Sequence, residues 1–525
     1  MGMGLQMPHG WLWTFAGLIG LQVALAGKPR GATHDRSPLW HDAGMIGLAV
    51  AATTCVGMGW VVLAVRDTES QWLWRGLTLL IVTGWHIFLT LVGWLPLRLA
   101  LQIRGWLPVE ANALALGVAL CGADALKQIG WQGHGYALIA NSLVDLPGAA
   151  SWLPWTGSQG LATWICAVIA GGTLLALRTG RRACAGAVTT KTLQWPPAIG
   201  LCASLLLYAS LALGVVSRGL PAAGDALEIV VVHPPTNPIE GWDAQRRDAG
   251  LALVRQALQA TPPGGLLVTT EDFFGEPPPV DPQGDWADLL ALRDAREAHL
   301  LIGMPLWAMQ GGEAAVMNAV WQLSPGRNDV FAKQRLVPGA EYLPWSDALA
   351  LVYRHVFPTA GKRTQPAPSS LARQLQVSGS AVALALCHEV SFALTMAQRA
   401  DGAQWLLNVA DDSWLDSGPY RHQAQNIARL RAMELGKPLL RVVNGSRSVL
   451  VSPDGSVSSG VSEPGAAYAR FQLGPVEGST FYQRWAGAWA WAPFALAAAL
   501  LSWRASPSPR TAPVARATTD QEPSP

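Results

Sequence analysis

Charge is scarce in this sequence. Asp, Glu, Lys and Arg make up 14% of its 525 residues, against about 25% in an ordinary soluble domain. With half of the residues hydrophobic, that shortage excludes a disordered chain and a typical cytosolic enzyme. The net charge of +2 is too small for a surface built to attract a polyanion, so nucleic acid is not an expected partner. Cysteine is sparse and unevenly placed. Cys55, Cys121, Cys166, Cys184 and Cys202 fall in the apolar first part, and only Cys387 falls in the polar stretch that follows. A lone thiol cannot form a disulfide within its own domain. There is no Cys-x-x-Cys pair and no Cys/His cluster, so neither a metal nor a cofactor is expected. A Gly-x-Ser-x-Gly elbow, a Walker A loop and a His-Glu-x-x-His motif are also missing, which removes three common catalytic signatures.

Long apolar runs are what the chain has instead. Residues 10–26, 44–65, 76–97, 159–177 and 197–216 are each long enough to cross about 30 Å of hydrocarbon as a helix. Residues 106–123 form a weaker run, interrupted by Glu110 and Asn112, and 485–503 form one more near the C-terminus. The half-apolar stretch 128–158 reads as re-entrant or interfacial, with a seventh span as the alternative. Tryptophan, at 25 residues, outnumbers Phe (10) and Tyr (7) combined, which suits membrane interfaces. His86, beside Trp85, is expected at such an interface.

Basic residues orient the chain. With six N-terminal spans, loops 27–43, 98–105 and 178–194 and the C-terminal tail share one side and carry twelve Lys or Arg, against three on the other. That bias places the first set in the cytoplasm. The expected organisation is a transmembrane domain over 1–217 with six or seven spans, an extracytoplasmic domain over 218–484, a transmembrane helix over 485–503 and a disordered cytoplasmic tail over 504–525. In a two-membrane bacterium the far side is the periplasm, and the expected location is then the inner membrane with the large polar domain in the periplasm.

The polar stretch reads as α/β. Strands are expected at 228–232, 266–270, 299–304, 315–323, 381–387, 404–409 and 439–443, with helices at 242–259, 285–297, 390–400 and 420–436. Several strands are nearly continuous in Val, Leu and Ile, as in sheets covered by helices. Three residues stand at strand ends, where α/β folds gather functional groups: Glu271, Lys333 and Cys387. A thiol is a poor nucleophile until something takes its proton. A carboxylate can take it, and an ammonium can hold the oxyanion formed on a carbonyl. Taken singly, such a Cys is ordinarily a small buried hydrophobe, and such a Glu or Lys an ordinary surface charge. Together they form a complete acyl-transfer set.

In order and surroundings these residues resemble the carbon–nitrogen hydrolase (nitrilase) superfamily, and within it the apolipoprotein N-acyltransferases. The run Lys333-Gln334-Arg335-Leu336-Val337-Pro338-Gly339-Ala340-Glu341-Tyr342-Leu343-Pro344 is similar to that family's lysine motif. Cys387-His388-Glu389 stands where the family has Cys-Tyr-Glu, and Asp411-Asp412-Ser413-Trp414-Leu415 where it has Asn-Asp-Ala-Trp-Phe. Arg429, Arg431, Glu434 and Pro438 fit the helix that follows. There are departures: Thr270-Glu271-Asp272 replaces Pro-Glu-Thr, His233-Pro234-Pro235 replaces Gln-Gly-Asn, and Val443-Asn444-Gly445-Ser446 replaces Thr-Asn-Thr-Gly.

The resemblance implies a polytopic α-helical membrane domain joined to a nitrilase-like αββα sandwich. It implies Glu271 as base, Lys333 as oxyanion partner and Cys387 as nucleophile, with Glu341 and Glu389 in support and no metal. The donor would be a membrane phospholipid and the acceptor an amine, such as the N-terminus of an apolipoprotein. The changed surroundings are also similar to TraB, a conjugal-transfer relative of the same layout. That leaves a second reading, a catalytic or non-catalytic membrane component whose partner is a conjugation apparatus.

Overall fold

A computed structural model describes residues 1–26, 39–64, 71–129, 133–184, 209, 219–234, 242–310, 313–338, 341–342, 365–371, 374–413, 415, 417–461 and 467–503. The run at 197–216 and the tail at 504–525 lie outside the described residues, save residue 209.

The first part is helical. Helices α1 (Trp11–Ala26), α2 (Leu39–Met58), α3 (Gln71–Ile103), α4 (Pro108–Lys127) and α5 (Ala149–Cys184) follow one another in the chain. Among the described residues, four helical stretches are long and apolar enough to cross a membrane: Leu39–Leu63, Arg75–Ile103, Pro108–Lys127 and Ala149–Thr179. The helix at 11–26 is apolar but shorter. Helices α10 (Phe481–Ala490) and α11 (Ala492–Ser502) near the C-terminus form a pair bent by 57°. The weaker run around Glu110 is a full helix nonetheless, and its window is the most buried of the four. Its polar groups face protein rather than lipid. Glu110 meets Arg178 at 3.0 Å, and Asn112 donates to Asp42 at 2.7 Å.

The stretch 128–158 contains no additional span among its described residues. It holds a short 3-10 turn at Ile139–Ser142 and the first turns of α5. The helical path of α5 breaks at Gly157, which takes φ +64. A Cβ there would lie 2.2 Å from the ring of Tyr482 on α10, so only glycine lets the two helices approach. His86 is buried rather than interfacial. Its Nδ1 lies 2.9 Å from Thr54 Oγ1 and its Nε2 3.3 Å from His134 Nε2. A ring with a partner at each nitrogen loses little by leaving water.

The second part contains two six-stranded sheets. One runs β14-β1-β2-β3-β6-β7 and the other β13-β12-β11-β10-β9-β8. Their strands are β1 (Leu227–Val232), β2 (Leu266–Thr269), β3 (His299–Gly303), β6 (Ala319–Ser324), β7 (Arg327–Ala332), β8 (Leu375–Val377), β9 (Ser380–Leu386), β10 (Trp405–Asp411), β11 (Leu439–Asn444), β12 (Val449–Val451), β13 (Val457–Ser459) and β14 (Tyr468–Leu473). A separate hairpin pairs β4 (Leu306–Gln310) with β5 (Glu313–Met317). Strands β1, β2 and β3 run parallel, as do β9, β10 and β11.

The inner faces meet in one apolar layer that includes Val231, Val268, Phe331, Leu384, Trp405 and Val442. Helices α6 (Ala244–Ala260) and α7 (Asp285–Ala295) cover the first sheet, and α8 (Ala393–Arg399) and α9 (Gly418–Leu435) the second. The order is helix, sheet, sheet, helix. Strands buried on both faces explain their nearly continuous apolar sequences. The single strand expected at 315–323 is two, β5 and β6, parted at Asn318.

The two parts are in contact. Gln423 on α9 donates to the carbonyl of Gly57 on α2 at 2.6 Å, Arg429 pairs with Asp145 at 2.8 Å, and the backbone N–H of Ser158 on α5 donates to Glu434 at 2.5 Å.

Candidate active site

Glu271 lies two residues beyond β2, Lys333 one residue beyond β7, and Cys387 one residue beyond β9. Cys387 does not belong to the strand, as its position at the end of the 381–387 run suggested. It opens a 3-10 turn with φ +50. A residue with a Cβ pays for that conformation in steric crowding of about 1–2 kcal/mol, a strain found where structure over-determines a functional group.

Glu271 and Lys333 meet directly, and Cys387 lies within the reach of their charges. Lys333 Nζ donates to Glu271 Oε1 at 3.1 Å and to Glu341 Oε1 at 2.6 Å. Cys387 lies close enough for both charges to act on its thiol. Burial raises the pKa of that thiol well above the usual range, the Glu271 charge pushes it further, and the Lys333 ammonium pulls it back. Glu271 is 4% exposed and Lys333 1%.

The base is held from three sides. Besides Lys333, Asn318 Nδ2 donates to its Oε1 at 2.6 Å, and the backbone N–H of Asp411 donates to its Oε2 at 3.0 Å. Burial raises its pKa to about 8; Lys333 opposes the rise, and Asp272, Glu341 and Asp411 add to it. Its neighbour Asp272 takes φ +48, and burial lifts its carboxyl to about 6 against the pull of Lys333. Lys333 is stripped of water by burial, yet the carboxylates of Glu271 and Glu341 hold its pKa well above the usual value, so it stays an ammonium. Two of its three N–H donors are engaged by these carboxylates, which leaves one for an oxyanion.

Glu341 is fixed by the N–H of Val337, which donates to its Oε2 at 2.7 Å. Glu389 is fully buried and does not face the base. Its Oε1 accepts from the N–H groups of Gln334 and Arg335, each at 3.0 Å, and its Oε2 from the N–H of Leu386 at 3.0 Å. Arg399 on α8 grips both oxygens at 2.8 Å. Burial alone would raise this carboxyl; Arg399 and the backbone donors outweigh it and take it down to about 2. Glu389 thus ties the lysine loop to the nucleophile turn.

The sequence did not point to Asn318, Arg399 or Asp272. Asn318 carried a faint signal, as an amide in a mostly apolar run. Arg399 carried none, because its partner is reached only through the fold. His388, in place of the family's Tyr, is 4% exposed and its ring lies edge-on to Phe392 at 5.5 Å. No group of three or more His, Cys, Asp or Glu suited to a metal occurs among the described residues.

Comparison with known proteins meets this geometry from two directions. The model of the carbon-nitrogen hydrolases matches residues 289–477, and that of the apolipoprotein N-acyltransferase N-terminal domain matches 2–171. The apolipoprotein N-acyltransferase of Azotobacter vinelandii is 28% identical over 86% of this chain and 86% of its own length. That of Pseudomonas aeruginosa is 24% identical over 92% of this chain and 89% of its own. That of Pseudomonas putida is 29% identical over 57% of this chain and 59% of its own. The conjugal-transfer alternative is not supported, since the N-terminal model and all three relatives are of the acyltransferase kind. Along both of its parts the chain is similar to the apolipoprotein N-acyltransferases, a group of the carbon–nitrogen hydrolase superfamily.

Proposed function

We propose that this protein is an N-acyltransferase of the bacterial inner membrane that moves an acyl chain from phospholipid, through a thioester on Cys387, to an amine on an apolipoprotein. The observation that carries the reading is the buried Lys333 ammonium shared by Glu271 and Glu341 beside a thiol on a strained turn.

Glu271 takes the thiol proton, and the thiolate of Cys387 attacks the ester carbonyl. Lys333 holds the oxyanion as it forms. When the tetrahedral species collapses, the glycerol oxygen leaves and takes the proton back from Glu271. The amine then attacks the thioester and loses a proton to Glu271. The thiolate departs and is reprotonated, so each half-reaction returns the site to its starting charge. Glu341 keeps Lys333 aimed, and Glu389 holds the nucleophile turn against the lysine loop. A membrane domain suits this donor, because each CH₂ drawn into water costs about 0.8 kcal/mol. The basic-residue bias supports a periplasmic position for the α/β part.

The test is Cys387→Ser in purified full-length protein. A carboxylate base does not activate a hydroxyl of far higher pKa, so amide formation on a lipopeptide amine should be lost while expression and membrane insertion stay normal. Wild-type transfer by this variant would remove the thioester from the mechanism.

A further inference from the structure

The strained φ of Cys387 must be held by something, and the structure shows what holds it. The Asn408 carboxamide, fully buried in β10, donates to the carbonyls of Ala385 and Cys387, each at 3.0 Å. Its Oδ1 accepts from Arg441 Nη1 on β11. Arg441 Nη2 reaches both oxygens of Asp412, at 2.9 and 2.8 Å. Asp412 Oδ1 accepts from the Tyr420 hydroxyl of α9 at 3.3 Å. The Tyr420 ring packs against that of Tyr136, with centroids 5.8 Å apart.

Tyr136 belongs to the loop after α4, outside the α/β sandwich. Trp60, just past α2, closes the cluster, with its ring 5.3 Å from Tyr136 and 4.9 Å from Tyr420. The same loop lies directly on the nucleophile turn. The N–H of Gly135 donates to Ser391 Oγ at 3.2 Å, and a Cβ at 135 would stand 2.3 Å from the Ser391 carbonyl oxygen.

We propose that Tyr136, Tyr420, Asp412, Arg441 and Asn408 form a positioning column that joins the membrane helices to the carbonyl of Cys387, so that the seating of those helices on the sandwich sets the reactivity of the nucleophile. None of the five takes part in the proton transfers above. A buried Arg–Asp pair adds little to net stability over apolar packing. A fully satisfied buried polar network specifies one geometry, and here that geometry is the turn that presents the thiol. The inference rests on the acyl-transfer reading.

The experiment uses the full chain in phospholipid nanodiscs. Single-turnover acylation of Cys387 is followed by mass spectrometry against donor concentration, with thermal stability recorded alongside. Tyr420→Phe removes the hydroxyl from which Asp412 accepts, and Trp60→Phe shrinks the ring that seats the helices against Tyr136 and Tyr420. Each should slow acylation at saturating donor, by about five- to tenfold in Tyr420→Phe, the worth of one buried hydrogen bond, with half-saturation unchanged. Asn408→Asp sets a carboxylate against two carbonyl oxygens and should be slower still; the two Phe variants keep the test alive if it does not fold. Wild-type rates in both Phe variants would overturn the column, as would a raised half-saturation with an unchanged rate. Cys387→Ser separates the two ideas: transfer by that variant defeats the acyl-transfer reading, whereas an inert Cys387→Ser beside wild-type Phe variants defeats the column alone.

Discussion

The membrane helices and the α/β sandwich both bury charge, and they treat it differently. Among the helices the buried charges sit in small, closed sets. Arg98 reaches Asp42 at 3.3 Å and Asn112 at 2.6 Å, Lys127 reaches Asp124 at 2.9 Å, and Arg178 reaches Glu110 at 3.0 Å. The first and third tie one helix to another; the Asp124–Lys127 pair lies within α4 and holds the following loop, since the N–H of Ile139 donates to Asp124 at 2.6 Å. In the sandwich, carboxylates outnumber cations around one point. Glu271, Glu341 and Asp272 share the field of Lys333, Asp411 adds its charge on Glu271, and burial leaves Glu271 titrating near 8. An ionisable group within a membrane is a functional candidate by default. Here the contrast assigns stitching to the balanced pairs and chemistry to the unbalanced cluster, because only an unsettled proton is available for transfer.

The strongest test of that contrast is Lys333→Met, which removes the cation and roughly keeps the aliphatic stem. Acyl-enzyme formation should slow by about 10²–10³-fold, the usual cost of losing an oxyanion donor, as measured by single-turnover mass spectrometry. Next comes pH. A base with its pKa near 8 is mostly protonated at neutrality, so the acylation rate should rise with pH and level off above about 8, falling about tenfold per unit well below that point. Residual activity in Lys333→Met should show the rise displaced to higher pH, because the ammonium that favours the Glu271 carboxylate is gone. A flat profile in the wild type would deny Glu271 the role of base. The smallest effect is expected in the helices. Asp42→Asn leaves Arg98 its bond to Asn112 but no counter-charge, and should lower stability by about 1–2 kcal/mol, the scale of an interhelical polar contact, in thermal unfolding in detergent. The acylation rate constant of Cys387 should not move.

Much of this was legible in the sequence. Strands β2 and β9 beside the site were readable because strands covered on both faces need unbroken Val, Leu and Ile. Glu271 and Cys387 were readable because each ends such a run, and Lys333 through the motif that follows it. Strand β7 was not, since Arg327-Asn328-Asp329 at its start reads as a turn. The division at Asn318 was hidden for a different reason. An amide in an apolar run looks like a tolerated substitution until its partner, Glu271, lies 2.6 Å away. Arg399, Asn408 and Arg441 act through partners 10–33 positions distant, and no local pattern encodes such a pairing. His86 was misread because neighbouring tryptophans mark an interface only when the helix faces lipid, and that face of α3 meets Thr54 and His134.

The most direct measurement is the intact mass of the purified protein after incubation with phospholipid and no amine acceptor. Our account predicts a single fatty-acyl adduct that maps to Cys387, is released by neutral hydroxylamine as thioesters are, and disappears when a lipopeptide amine is added. A protein that remains unmodified while it still forms the amide, or one that carries the adduct elsewhere than Cys387, would contradict it.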